Sequence, residues 1–298
     1  MHKYLSAVGF KHVESRKQLN HLLEYAEENF QNEKTVKVQN QMELSERVRY
    51  FTKDMGILIG GTYDEKDVFE REYYIPFFEG RGPKKFDEMA VERHSSKNSY
   101  AGACEYPGIG ITIIYYLQNA VEYLSELNFT QLSKDTVSLT LSGLASEGKI
   151  LLPVMQDEQD FLEKEENIRR HSKLLKEARA GDESAIESLT MQDMDTYSMI
   201  SRRIETEDVL SIVSTYFMPC GLECDQYSIL GEILHYERRE NSLTKEQLYV
   251  MKVECNGLEF DVCINAEDLL GEPEVGRRLK ANIWLQGRMI FEDEAEMI

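Results

Sequence analysis

The feature that most constrains the fold is a pair of strand-like segments joined by an Asn-Gly dipeptide in the last third of the chain. Residues 247–255 and 258–264 are rich in β-branched and other apolar residues, and only Asn256 and Gly257 separate them. Asn-Gly is the strongest short signal for a two-residue hairpin turn, because both turn positions adopt positive φ. The sequence therefore predicts a β-hairpin here.

Further strand-like segments surround this hairpin. A strand is predicted at 226–236, a short helix at 266–270, and two strands at 278–285 and 288–291 with a bend at Gly287. Three strands, a short helix and two strands follow the order of an OB-type barrel, although other small sheets share that order. The prediction for residues 208–298 is a small OB-like β-barrel.

The first half of the chain combines helical and strand-like patterns. Ser15 is placed to cap a helix, and strands are predicted at 35–38, 46–52, 57–63, 68–78, 136–141 and 149–154. Gly143 and Gly148 would lie in the connection between the last two strands. Two sets of apolar residues have helical spacing, the second set after Gly110: Leu19, Leu22, Leu23 and Ala26; Ile113, Ile114, Leu117, Val121 and Leu124.

These patterns predict an overall α+β fold in three parts. Residues 1–154 would form an α+β domain with a mixed, largely antiparallel sheet and helices on one face. Residues 155–207 are dense in charge and poor in glycine, which predicts a helical connector. The boundary near Pro153 coincides with a shift in charge, since residues 151–298 hold 32 of the 54 acidic residues but 16 of the 34 basic ones.

Charge and composition exclude some classes of function. The net charge of −20 over 298 residues argues against binding to nucleic acid or to an anionic membrane, because both require a basic face. The longest apolar run, residues 108–117, is about half the ~20 residues that a membrane-spanning helix needs. Five irregularly spaced cysteines are typical of a reducing compartment. We therefore expect a cytoplasmic protein.

One region carries the features of an anion site. Arg81, Lys84 and Lys85 form a basic segment, and Gly108 and Gly110 precede the predicted second helix, whose N–H groups would attract phosphate. The pattern lacks the Lys-Ser/Thr of a P-loop and the glycine spacing of a dinucleotide fold, so a tight turn beside a solvated basic loop remains the alternative.

Catalytic and metal-binding patterns are weaker. His94 is a candidate acid or base because it precedes Cys104 and Glu105, but no third residue completes a nucleophilic arrangement. Cys220 and Cys224 have the spacing of one zinc knuckle, without a second such pair. We predict no catalytic residue, no metal ligand and no cofactor from the sequence.

Trp284 and Arg288 are the candidate residues for binding a partner. Tryptophan and arginine are enriched among the residues that dominate binding energy at interfaces. The same residues are also ordinary constituents of strands and cores.

Two stretches resemble a known family. MHKYLSAVGF at the start of the chain and LLGEPEVGRRLKANIWLQGR near its end are similar to an uncharacterised bacterial family, mainly clostridial, that is classed as a domain of unknown function. The resemblance covers nearly the whole chain. It implies a cytoplasmic protein that acts as one unit, and it implies no catalytic residue and no substrate.

The sequence favours a non-enzymatic protein that binds a protein or peptide partner, or a second copy of itself. The alternative is an enzyme or sensor for a small phosphorylated ligand, with its site in the N-terminal domain around Arg81, Lys84, Lys85 and the Gly108–Gly110 turn.

Overall fold

The computed structural model has a mostly β fold with few helices, and its sheets are antiparallel and mixed. It describes residues 2–38, 43–64, 66–93, 99–106, 108–129, 137–154, 170, 173–175, 177–178, 180–204, 209–221 and 224–291.

The first sheet has four antiparallel strands in chain order, with a helix before them. Its strands are β1 (Asn32–Lys37), β2 (Glu43–Thr52), β3 (Met55–Tyr63) and β4 (Phe69–Phe78). Helix α1 (Arg16–Glu28) begins at Ser15, which forms the full capping box with Gln18. The four apolar positions predicted for this helix are all buried: Leu19, Leu22, Leu23 and Ala26. The predicted first helix and the four predicted strands of this region are confirmed.

The second sheet contains the remaining strands. They are β5 (Asp87–Arg93), β6 (Tyr100–Glu105), β7 (Thr112–Leu117), β8 (Val137–Leu151), β9 (Tyr216–Pro219), β10 (Gln226–Glu240), β11 (Gln247–Cys255), β12 (Leu258–Asn265), β13 (Leu269–Leu270) and β14 (Arg278–Phe291). Their order is β13-β8-β12-β11-β10-β14-β7-β6-β5, and β9 pairs with β10. The predicted hairpin of β11 and β12 is confirmed, with Asn256 and Gly257 both at positive φ.

Five of these strands pair in a closed cycle. β8 runs parallel to β12 and antiparallel to β14, while β10 joins β11 to β14. β8 thus links residues of the predicted first domain to strands of the predicted third. These strands contribute Ile229, Val253, Phe260 and Ile283 to the larger of the two main cores.

β8 and β14 each continue through a position where the sequence predicts a break. The expected breaks at Gly143 and Gly287 are wrong, because both glycines lie inside β8 and β14 respectively. Close packing explains why glycine occupies these two positions. A Cβ on Gly143 would lie 3.0 Å from Ile283 Cδ1, and one on Gly287 would lie 2.4 Å from Tyr115 Cδ2. These glycines permit close contact within strands instead of forming turns.

The helix expected after Gly110 is also wrong over its first part. Residues Thr112–Leu117 form β7, and α2 (Ala120–Phe129) begins after Asn119. Ile113, Tyr115 and Leu117 are buried at every second position, which is the period of a strand. The β-branched and aromatic content of this segment favours extended structure over the helical spacing that the sequence also contains.

The connector region is described in part. The predicted helical repeat of Phe161, Ile168 and Leu175 lies mostly outside the described residues. Asp182 caps α3 (Glu183–Ile204), since its Oδ1 accepts from Ser184 N at 2.9 Å. A shorter helix, α4 (Val209–Ile212), follows. The described part of the connector region is therefore helical, as the sequence predicts.

Arg278 holds the end of this region against the second sheet. Its guanidinium donates to the carbonyl oxygens of Leu152, Val213 and Leu210 at 2.8–2.9 Å. The arginine is 7% exposed. It therefore ties β14, the end of β8 and α4 together.

None of the described helices combines the length and the apolar character needed to cross a membrane.

Candidate functional site

The two sheets and α2 meet at a small cleft. β1, β2, β3 and β4 form one wall, while the residues around the start of α2 and Arg288 on β14 form the other. The cavity volume is about 30 Å³. One water molecule requires ~10–15 Å³ by the same measure, so the cleft has room for two or three waters and is far too small for a nucleotide.

Buried amides hold the two walls in place. Gln118 Nε2 donates to Phe78 O and to Gln286 Oε1, both at 2.8 Å. Gln286 Nε2 in turn donates to Pro76 O at 2.9 Å. These bonds connect β4 of the first sheet to β14 and the end of β7 in the second, so the cleft lies at a rigid junction.

Glu46 is a buried carboxyl group of the cleft whose surroundings raise its pKa. Its Oε2 accepts from Val121 N at 3.2 Å, and its Oε1 accepts from Tyr73 Oη at 3.1 Å. Burial raises the pKa of Glu46 to about 7, and the negative charge of Glu122 adds to the increase. The two hydrogen bonds and the charge of Arg288 act in the opposite direction. Glu46 therefore titrates near neutral pH.

The surroundings of Glu122 shift its pKa in the opposite direction, below the ordinary value. Burial opposes its ionisation, yet Arg288, Lys34 and Asn119 together lower its pKa. Its carboxylate forms ion pairs with Lys34 Nζ at 2.9 Å and with Arg288 Nη2 at 3.4 Å. Two carboxyl groups in one cleft thus have pKa values that their surroundings move apart, which is typical of functional sites as well as of structural ion-pair networks.

Glu79 completes the set of charges. Its Oε1 accepts from Tyr50 Oη at 2.8 Å and lies 3.7 Å from Arg288 Nη1. Three carboxyl groups and two cationic groups therefore line the cleft: Glu46, Glu79, Glu122, Lys34 and Arg288.

The predicted anion site has a different location. Arg81 N donates to Asp261 Oδ2 at 2.8 Å, and Lys84 Nζ lies 3.9 Å from Glu259 Oε2. Gly108 packs so closely on the β11–β12 turn that a Cβ would lie 2.0 Å from Asn256 O. The basic segment and the Gly108 turn thus both contact the β11–β12 hairpin.

The chemistry of that location is less favourable to an anion. No helix follows Gly110, because β7 begins at Thr112. Arg81 also lies 3.3 Å from Glu237, so carboxylates already accompany Arg81 and Lys84. Lys85 is exposed, and His94 lies outside the described residues.

The two candidate partner-binding residues have different positions. Trp284 is buried in the core, where its Nε1 donates to Asp225 Oδ2 at 2.7 Å and its ring stacks on Tyr4. Arg288 lines the cleft. The structure therefore places the two in different surroundings.

The cysteines are free thiols, and Cys104, Cys255 and Cys263 are buried. Burial raises the pKa of Cys104 to about 12, with the charge of Glu105 contributing, so this thiol is poorly nucleophilic at neutral pH. Within the described ranges, no group of three or more His, Cys, Asp or Glu side chains is arranged to hold a metal ion.

Of the five acidic and basic residues of the cleft, only Arg288 was predicted as a binding residue from the sequence. Lys34, Glu46 and Glu122 lie in β1, β2 and α2, Glu79 directly follows β4, and the four have no local motif in common. The available signal was weak: Ser45 and Glu46 are polar residues within an otherwise strand-like segment. Their burial could not be recognised without knowing which sheet face is covered.

The family of the chain follows from its sequence match over residues 5–287. The chain belongs to the family described as "Domain of unknown function, E. rectale Gene description (DUF3881)". The resemblance recognised in the terminal segments is confirmed. No curated protein and no solved structure matches the chain.

Proposed function

We propose that this is a non-enzymatic cytoplasmic binding protein and that the cleft is where it recognises a protein or peptide partner. The observation that carries the proposal is the convergence of five ionisable side chains, from separate elements, on a space of only two or three waters. Such a space suits one functional group of a larger partner and excludes a complete cofactor. Free cysteines support the cytoplasmic location.

The scaffold is part of the same proposal. We infer that the cycle of β8, β10, β11, β12 and β14 is an OB-like barrel, with β8 as its fifth strand. The cyclic pairing and the five-strand count support this interpretation. The barrel would present Arg288 to the cleft from β14, while the four-stranded sheet would present Glu46.

Selection of displayed peptides tests the proposal. A random peptide library is selected on the wild-type protein and counter-selected on Val48→Phe, in which a larger side chain fills the cleft. We expect synthetic copies of the enriched peptides to bind the wild type at least tenfold more tightly than Val48→Phe. Lys17→Ala, an exposed change on α1, is the matched control and should bind as the wild type does.

Two outcomes would contradict the proposal. The first is that no peptide is enriched over repeated selection. The second is that the enriched peptides bind wild type and Val48→Phe equally although Val48→Phe has native circular dichroism and unfolds cooperatively, because binding would then lie elsewhere.

A small phosphorylated ligand is the second candidate, and the shared contact of the Arg81–Lys85 segment and Gly108 with one hairpin supports it. Inorganic phosphate and nucleotides should raise the melting temperature by several degrees at about a hundred times their Kd. Lys84→Ala with Lys85→Ala should abolish that shift. A melting temperature unchanged by these ligands would remove this candidate.

A further inference from the structure

An unpartnered acceptor lies in the wall of the cleft. Gln118 is 4% exposed, and its Nε2 already donates to Phe78 O and Gln286 Oε1, which fixes the orientation of its amide. Among the described residues, its Oε1 has no hydrogen-bond partner. A buried carbonyl oxygen without a donor costs free energy. A ligand that carries N–H or O–H donors would satisfy it.

A second group in the same cleft lacks a cation. Glu46 is 6% exposed, and no described ammonium or guanidinium group lies within 4.0 Å of it. The charged and titratable groups that act on it come from β4, β6, β7, α2 and β14, and they are Tyr73, Tyr100, Tyr116, Glu122 and Arg288. Only Arg288 among these is cationic, and it is paired with Glu79 and Glu122.

The size and the charge of the cleft favour one chemical class of ligand. An ammonium group is about as large as a water molecule, and it has three donors and no acceptor. It therefore matches both the unpartnered oxygen of Gln118 and the carboxyl group of Glu46. An anion would instead meet the carboxylates of Glu79 and Glu122 and would leave the Gln118 oxygen without a donor.

We propose that the cleft binds a primary ammonium group, which donates to Gln118 Oε1 and displaces the proton of Glu46. This proposal deepens the proposed function, on which it rests, by naming the group that the partner presents. One cation enters, one proton leaves the carboxyl group for solvent, and the net charge of the complex equals that of the free protein. No covalent bond forms other than the one that the proton makes with solvent.

The experiment follows the carboxyl carbon of Glu46 by NMR in protein labelled with ¹³C at the glutamate side-chain carboxyl. Glu46→Gln assigns the signal by its loss. Two probes supply the same ammonium group from different sources: methylammonium represents a free amine, and an N-acetylated, C-amidated Gly-Lys-Gly peptide represents a protein side chain. Tetramethylammonium, which has no N–H donor, is the control ligand.

We expect saturating probe to lower the titration midpoint of Glu46 by at least one pH unit. Its affinity should rise about tenfold per pH unit below the midpoint and should level off above it, because below the midpoint binding must displace a proton. Glu46→Gln should lose this pH dependence, while Glu24→Gln, an exposed change on α1, should keep it. Tighter binding of the peptide would identify a lysine side chain as the source, and tighter binding of methylammonium would identify a free amine.

Three results would overturn the proposal: no saturable binding of either probe, binding that is independent of pH, or equal binding of tetramethylammonium. Other results distinguish a failure of the ammonium site from a failure of the proposed function. Selected peptides that require the open cleft but tolerate replacement of lysine by norleucine would refute the ammonium site alone. Binding of methylammonium without any cleft-dependent peptide would refute partner recognition alone.

Discussion

The carboxyl group of Glu46 lies at the N-terminal end of α2, where its Oε2 accepts from Val121 N at 3.2 Å. Glu46 belongs to the first sheet, and Val121 belongs to the helix that follows β7 of the second. A helix start favours a negative charge, yet burial opposes that charge. The balance of these effects leaves the pKa of Glu46 at about 7.

The stability of the protein should therefore depend on pH through Glu46. The pKa is higher in the folded state than the ordinary value of 4.5, so the folded protein holds this proton where the unfolded chain has released it. The contribution is fully present below about pH 4.5 and is lost as pH rises to about 7. Relative to wild type, Glu46→Gln should gain up to about 3 kcal/mol across that range.

Urea denaturation of both proteins at a series of pH values measures this difference. Glutamine can accept from Val121 N through Oε1 and donate from Nε2 to Tyr73 Oη, which reverses the direction of the Tyr73 bond but leaves both neighbours hydrogen-bonded. Glu24→Gln controls for the loss of a glutamate that is exposed. A constant difference between wild type and Glu46→Gln from pH 4.5 to 8 would contradict the assignment.

Arg278 should contribute strongly to stability. Arg278→Met removes the guanidinium donors to Leu152 O, Val213 O and Leu210 O. We expect a loss of about 2–4 kcal/mol in the free energy of unfolding. Hydrogen exchange of residues 209–215 should also increase. The free energy of unfolding of Arg278→Lys should lie between those of wild type and Arg278→Met. An Arg278→Met variant as stable as wild type would show that these hydrogen bonds contribute little to stability.

The cap of α1 makes a smaller, local contribution. Ser15→Ala removes the side-chain acceptor of Gln18 N and the hydroxyl that donates to Gln18 Oε1, while the reciprocal bond from Ser15 N to Gln18 Oε1 can remain. Chemical denaturation should show a loss of about 1 kcal/mol. Lys17→Ala, in the same turn but outside the cap, should change stability by about 0.5 kcal/mol or less. Equal losses in both variants would argue against a specific capping effect.

The thiols should react in distinct phases. Cys224 is exposed, whereas Cys104, Cys255 and Cys263 are buried. Burial raises the pKa of both Cys104 and Cys263, so their thiolate forms are scarce at neutral pH. A chromogenic disulfide reagent should label Cys224 rapidly, half-buried Cys220 more slowly, and the three buried thiols only after denaturant is added. Rapid labelling of Cys104 in the native protein would contradict its position in the core.

Local patterns predicted those elements whose determinants are local. Ser15 and Gln18 lie three residues apart and define the start of α1, and Asn256-Gly257 defines the turn between β11 and β12. Gly143 and Gly287 suggested turns, because a glycine that permits a turn and one that permits close packing are identical in sequence. The contacts that distinguish them come from Ile283 and Tyr115, far away in the chain.

The cleft could not be predicted from local patterns either, because its residues are far apart in the chain. Glu46 and Glu122 are separated by 76 positions, and Arg288 follows Glu122 by a further 166. Arg288 was recognised only as a residue type that is common at interfaces. Its proximity to both glutamates depends on the pairing of β14 with β7 and on the bonds of Gln118 to β4, which no local period records.

The pairing of β8 with β14 has a consequence for biosynthesis. Val137 is opposite Phe291, so β8 leaves the ribosome long before the strand that covers its antiparallel edge. Until residues 278–291 emerge, that edge is open to other chains, whereas β12 can cover part of the opposite edge once residues 258–265 have emerged. Completion of the second sheet must therefore await the synthesis of residues 278–291, and a nascent chain that stops before residue 278 will be a substrate for chaperones or for aggregation.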